Sequence, residues 1–185
     1  MNYKKILTIP MIVFAISLVY IIYQILTGLF ITDLPISQIF YVFTSTLVLV
    51  TIITYVMFRK SASSLSIFLC LFANIIETLV FSQLLGITLS LTVFATLFLI
   101  IGYSIINNVF LNYKILKVKG NEKEIIKTWL IIDGVTIIIL VVLTLTSFSI
   151  ITMIVSIFIL GLLFDAINSF LSLGILKVFL KREIK

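Results

Sequence analysis

Two carboxylates stand inside long apolar stretches of the sequence, where ionisable side chains are rare. Glu77 lies in the apolar run 65–85, and Asp165 lies in the run 149–176. A charged carboxylate in hydrocarbon costs about 2.5–3.5 kcal/mol or more, so such residues face a bundle interior and mark proton or solute pathways. This cost favours the protonated form of both groups. The chemistry on offer is proton transfer or the binding of a small polar solute.

Amide side chains accompany both carboxylates at helical spacing. Asn74 precedes Glu77 by one helical turn, and Asn168 follows Asp165 in the same way, so each pair shares one helix face. Counting along the runs places further polar residues in the same half of the membrane as Asp165. The candidate intramembrane polar site consists of Asn74, Glu77, Asn107, Asn108, Asp133, Asp165 and Asn168.

This polar site has two interpretations. In the functional one it forms a polar cavity open to the cytoplasm, or a proton-linked relay. In the structural one the carboxylic acids are bonded to asparagine side chains and hold the helices together. Both interpretations require that these side chains converge inside the bundle.

The sequence lacks the residues that most enzyme mechanisms require. Histidine is absent, which removes the commonest general base and metal ligand. The single cysteine, Cys70, excludes an internal disulfide and a cysteine-rich metal site. The sequence contains no P-loop, dinucleotide-binding fingerprint or Cys-x-x-Cys motif. We therefore expect a protein that is not an enzyme and that has no cofactor.

The apolar runs that position these residues are long enough to cross a bilayer. Hydrophobic residues make up 62% of the 185-residue chain, charged residues 11%, and the mean hydropathy is +1.36. A span needs about 20 apolar residues. The sequence predicts an all-α, polytopic six-helix bundle forming one membrane domain over 1–185, with spans at 6–27, 35–58, 65–85, 88–111, 128–146 and 149–176. Thr8 and Pro10 are predicted to open the first helix, as a cap and a first-turn proline.

The charges predict the orientation of these spans. All 13 cations fall in four groups, namely Lys4–Lys5, Arg59–Lys60, five lysines in 114–127 and four residues in 177–185. Two spans separate each group from the next, so every cation can lie on one side. The positive-inside rule makes that side the cytoplasm. We expect both termini there, in a plasma or equivalent energy membrane.

The lysines of the fourth-to-fifth connector form a candidate binding surface. This basic face consists of Lys114, Lys117, Lys119, Lys123 and Lys127. Basic segments beside a membrane attract anionic lipids. The basic face is therefore predicted to contact anionic lipid or an acidic partner, and the net charge of +6 needs no nucleic acid to explain it.

An internal repeat is visible when the first three predicted spans are laid over the last three. The segment 74–78 then matches 165–169, with polar residues three apart in each. Halves of three spans would be inverted relative to each other, as in many transporters. Chance is the alternative, because an isoleucine- and leucine-rich chain finds matches in any register.

The segment Tyr103–Phe179 resembles Yip1-domain membrane proteins in the order of its features. An apolar span leads to a short basic loop at 117–124, the segment Ile125–Trp129 opens the next span, and two closely joined spans follow. The resemblance implies a non-enzymatic membrane protein that acts by association with others. The size and topology are also similar to the substrate-binding component of energy-coupling-factor vitamin transporters.

Two functions follow from the sequence. The first is a membrane scaffold, or a small subunit of a larger membrane complex, whose partners are the lipid bilayer and other membrane-protein subunits or further copies of itself. The second is a small-solute or proton-linked transporter, or its substrate-binding membrane component, that uses the intramembrane carboxylates. An aqueous cavity reaching Asp165 would favour the second.

Overall fold

The computed structural model describes residues 3–27, 36–88, 90–118, 122–146 and 149–183, and these are almost entirely helical. The predicted all-α membrane bundle is confirmed. A π-helical turn, Lys114–Val118, continues the fourth helix. The helices are α1 (Tyr3–Thr27), α2 (Ile36–Phe58), α3 (Ser61–Leu84), α4 (Leu91–Tyr113), α5 (Glu122–Thr146) and α6 (Ser149–Glu183).

Five of the described helices, α2 to α6, are long and apolar enough to cross a membrane, whereas the apolar stretch described in α1 is Pro10–Tyr23. Several helices run past one end of the apolar segments that predicted them. For example, α5 begins at Glu122 rather than at residue 128. Backbone hydrogen bonding does not stop where the side chains become polar, so hydropathy predicts the span and not the helix end.

The predicted start of the first helix is wrong. α1 begins at Tyr3, and Pro10 lies inside it rather than in its first turn. A proline inside a membrane helix is tolerated because neighbouring groups can satisfy the freed carbonyl.

The two central helices are α3 and α6, which share the most extensive contact in the bundle. Both α1 and α4 pack against this central pair, while α2 packs on α3 and α5 packs on α6. α3 is the most buried of the five long apolar helices, and α5 is the least buried. The peripheral helices therefore present apolar side chains outward, as a lipid environment requires.

The described cations lie towards one end of the bundle, which we name the basic end. Asn112 near the end of α4 donates to Ser66 near the start of α3, with 3.3 Å between the Nδ2 and Oγ atoms. Leu111, Trp129 and Leu173 pack together there. This contact joins the end of α4, the start of α5 and the last part of α6. The exposed two-residue joint between α2 and α3, Arg59 and Lys60, lies at the same end.

A close approach of α4 and α6 sets the position of Asp165. A Cβ atom built on Gly161 would lie only 2.5 Å from the Cδ1 atom of Ile100. The missing side chain therefore lets α6 pack tightly on α4 at this level. Asp165 follows one turn later, within reach of the polar side chains of α4.

At the opposite end, a glycine makes the turn between α3 and α4. Gly86 adopts a φ of 70°, a conformation that glycine enters without steric penalty. Its N–H donates to the Gln83 carbonyl, and the N–H of Ile87 donates to the Ser82 carbonyl, both at 2.9 Å. This short turn sends α4 back through the membrane beside α3.

Candidate functional site

Asp165 is fully buried and accepts hydrogen bonds from three side chains of α4. The Ser104 hydroxyl donates to its Oδ1 atom. Asn107 donates to Oδ2 at 3.1 Å, and Asn108 donates to Oδ1 at 3.4 Å. Ser104 and Asn108 are one turn apart and Asn107 lies beside them, so one face of α4 supplies all three donors.

Asp133 of α5 joins the same network through Asn107. The Asn107 amide also donates to the Asp133 Oδ1 atom at 3.1 Å, so it bridges the two carboxyl groups. The Tyr103 hydroxyl donates to that oxygen at 2.5 Å. We call these six residues, which link α4, α5 and α6, the aspartate network: Tyr103, Ser104, Asn107, Asn108, Asp133 and Asp165.

Glu77 has a different partner, on the other central helix. The Asn168 amide donates to the Glu77 Oε2 atom at 2.7 Å, and both side chains are fully buried. We call this bond between α3 and α6 the glutamate pair. The Cys70 thiol of α3, about two turns before Glu77, is also fully buried.

The structure thus divides the predicted polar site into two groups. It brings Asn107, Asn108, Asp133 and Asp165 together in the aspartate network, and it joins Glu77 to Asn168. Asn74 bonds to neither carboxylate within the described residues; its Oδ1 atom accepts from Thr78 of the same helix at 3.4 Å.

The prediction omitted Tyr103 as a partner of Asp133. Its position one helical turn before Asn107 is the signal that would have placed it on the same face. Its hydroxyl reaches Asp133 because the long side chain extends from α4 to α5, a contact that depends on the helix packing.

The partners of these carboxyl groups are uncharged, so hydrogen bonds rather than ion pairs hold them. Several buried polar atoms of the site have no hydrogen-bond partner among the described residues. They are Glu77 Oε1, Asn108 Oδ1, Asp133 Oδ2 and Asn168 Oδ1. Each of these oxygens can accept a hydrogen bond. Among the described residues, no cluster of three histidine, cysteine or acidic side chains could hold a metal ion.

The predicted basic face is described only in part. The Nζ atom of Lys114 lies 5.5 Å from the centroid of the Phe110 ring, a cation–π distance, and Lys127 is exposed. The side chains of Lys117 and Lys123, and all of Lys119, lie outside the described residues.

The chain is similar to proteins named protein-export membrane protein SecF. It is 32% identical over 144 residues to the Methanolacinia petrolearia protein, which covers 73% of this chain and 51% of the relative. It is 34% identical over 141 residues to the Methanocaldococcus jannaschii protein, covering 70% and 50% of the two chains. The chain spans about half the length of these curated relatives. No family model matches the chain, and no solved structure matches it.

These findings correct the resemblance to Yip1-domain proteins, which is wrong. The proteins that the chain is similar to, over 73% and 70% of its length, are named SecF. The features behind the earlier resemblance were a span, a basic loop and two closely joined spans. Any multi-pass protein that obeys the positive-inside rule repeats that order, so it does not identify a family.

Proposed function

We propose that this chain is a non-catalytic membrane subunit of a protein-export machinery, in the plasma membrane with both termini in the cytoplasm. The observation that carries the proposal is the similarity to proteins named SecF over about 70% of the chain. The same proposal has the chain act together with other membrane subunits of that machinery.

The helix surfaces support a role within a complex. α5 and α2 expose large apolar side chains along most of their length, including Ile138, Leu145 and Tyr41. In a bilayer such surfaces accept either lipid or the helices of another subunit. The buried aspartate network and glutamate pair join the inner helices through hydrogen bonds, so the outer surfaces of α2 and α5 are left for such contacts.

Depletion in the organism that carries the protein tests the proposal. We expect slower export of a secreted reporter, restored by the wild-type chain and by a Gly102→Ala chain, since nothing lies within 4 Å of a Cβ atom at Gly102. The tagged chain should copurify in mild detergent with membrane subunits of the export machinery. Unchanged export after depletion, with no such subunit copurifying, would overturn the proposal.

A proton-linked transport role is the second candidate function, favoured by the continuity of the aspartate network. Hydrogen bonds lead from Tyr103 through Asp133 and Asn107 to Asp165 without a break. Carboxyl groups joined in this way within a membrane are the usual components of proton relays.

Proton movement into vesicles tests this second function. Purified protein is placed in vesicles that contain a pH-sensitive dye, and a membrane potential is imposed. We expect Asp165→Asn to remove the proton flux and Gly102→Ala to retain it. A wild-type flux in a folded Asp165→Asn variant would eliminate the relay.

A further inference from the structure

The two central helices carry small or polar residues at four matched positions. Glu77 and Asn168, which bond to each other, are 91 residues apart, and the same shift relates three further pairs. All eight residues of the four matched pairs are buried: Cys70 with Gly161, Asn74 with Asp165, Glu77 with Asn168, and Thr78 with Ser169. Four matched positions within one stretch of helix indicate a repeat.

The contacts between helices show the same correspondence between the two halves. α1 packs against both α3 and α6, and α4 does the same. α2 packs on α3 in the way that α5 packs on α6. The bond between Glu77 and Asn168 joins two matched positions to each other, as two-fold related halves would do where they meet at their axis.

The two halves differ in the helix contacts and hydrogen bonds that surround their matched residues. In the second half, Gly161 lets α4 approach and three α4 side chains donate to Asp165. In the first half, the Cys70 side chain occupies the position matched to Gly161. The amide nitrogen of Asn74 is buried and has no hydrogen-bond partner among the described residues. Among the described residues, hydrogen bonds between helices surround Asp165 in the second half but not Asn74 in the first.

A buried polar ladder connects Asp165 to the basic end. Ser104, Asn108 and Asn112 follow one another at single-turn intervals on α4, and all three are fully buried. The Oδ1 atoms of Asn108 and Asn112 have no hydrogen-bond partner among the described residues. Ser169 of α6, about one turn beyond Asp165, is also fully buried, and its hydroxyl is likewise without a hydrogen-bond partner among the described residues.

We propose that the molecule consists of two inverted three-helix repeats and alternates between two arrangements. In the one described, α4 closes on Asp165. In the other, α1 closes on Asn74, and α4 separates from α6 so that water and small hydrophilic molecules reach Asp165 along the polar ladder. Inverted repeats exchange conformations in this way because each half can adopt the packing of the other. The proposal does not depend on the role in protein export.

A cysteine reporter measures the opening. Cys70→Ser removes the only cysteine, and Ser169→Cys then introduces the reporter without loss of a described hydrogen bond. Leu162→Cys is the control, because this fully buried position of the same helix is apolar. The protein in nanodiscs is treated with a small hydrophilic methanethiosulfonate. We expect the cysteine at 169 to react about tenfold faster than that at 162, since only the former joins the water-filled path.

Two further variants should shift the equilibrium between the two proposed arrangements. Replacing Cys70 by glycine instead of serine makes the first half resemble the second, and Gly161→Ala pushes α6 against Ile100. Each should speed labelling at 169 several-fold and leave the rate at 162 unchanged, whereas Gly102→Ala should change neither. The proposal fails if the cysteine at 169 is as inert as that at 162 in every background. It also fails if both rates rise together, which would indicate general loosening.

Discussion

The carboxyl group of Asp165 is surrounded by hydrogen-bond donors. A carboxyl group in a dry interior is stable only when its oxygens are hydrogen-bonded, because desolvation otherwise costs several kcal/mol. Three donors from α4 meet this requirement without a cation. The same bonds tie α4 to α6, so the side chain contributes to helix association as well as to any chemistry.

Substitutions of Asp165 separate hydrogen bonding from charge. Asp165→Asn keeps the size and an acceptor oxygen, so we expect a thermal midpoint close to that of the wild type. Asp165→Leu removes the acceptor of the Ser104 hydroxyl and one of the two acceptors of the Asn107 amide, at about 1–3 kcal/mol for each unsatisfied group. Thermal unfolding in one detergent measures the difference. Equal midpoints for the two variants would show that these bonds do not stabilise the bundle.

Gly161 offers a test of the contact between α4 and α6. An alanine there would place its Cβ atom against Ile100, and overpacking of this kind costs about 1–3 kcal/mol. We therefore expect Gly161→Ala to lower the thermal midpoint. Gly102→Ala and Gly134→Ala are matched controls, because nothing lies within 4 Å of a Cβ atom at either position. A midpoint for Gly161→Ala equal to theirs would contradict the close packing.

The residues of the site were partly predictable from the sequence. Distance along a span measures depth in the membrane, which is why Asn107, Asn108 and Asp133 were expected near Asp165. Depth in the membrane does not show how a helix is rotated about its own axis. A helix that is apolar on all sides has no polar face from which that rotation could be inferred. The sequence therefore could not assign Asn168 to Glu77 rather than to Asp165, nor add Tyr103 to the network.

At the scale of the helices, hydropathy predicted where helices lie along the chain but not which helices pack against each other. A lipid-facing surface and a buried one are equally apolar, so composition does not show that α3 is central and α5 peripheral. Polar and small residues are the better guide, since α3 and α6 carry the matched set around Glu77 and Asn168. Helix ends were missed wherever the backbone continued past the apolar run, as at the start of α5.

The connector between α4 and α5 is predicted to bind anionic lipid or an acidic partner. Five lysines lie within 114–127, partly offset by Glu122 and Glu124. Each cation near the surface contributes up to about 1 kcal/mol. Replacing Lys117, Lys119 and Lys123 by glutamine should weaken retention of anionic lipid, measured by native mass spectrometry. Neutralising Lys181, Arg182 and Lys185 removes the same charge and is the control; an equal loss would show a general charge effect.

At the scale of the whole molecule, the sequence and the packing of the helices agree that the cations share one end of the bundle. The cations of the sequence fall in groups separated by pairs of spans, and the described ones lie towards one end of the bundle. Asn112 and Ser66, together with the cluster around Trp129, bring the start of α3, the end of α4 and the start of α5 to that same end. Every described helix joint is thus compatible with one basic face and one nearly uncharged face.

Cysteine accessibility tests this orientation in intact cells. Single cysteines at positions 60, 119 and 185, in a Cys70→Ser background, should react with an impermeant thiol reagent only after the membrane is opened. A cysteine replacing Asp33 should react from outside in intact cells. Lys60 is exposed at the joint of α2 and α3, so its replacement perturbs no buried contact. Since positive residues are retained on the cytoplasmic side, labelling of position 119 from outside would invert the proposed topology and place the polar ladder on the opposite face of the membrane.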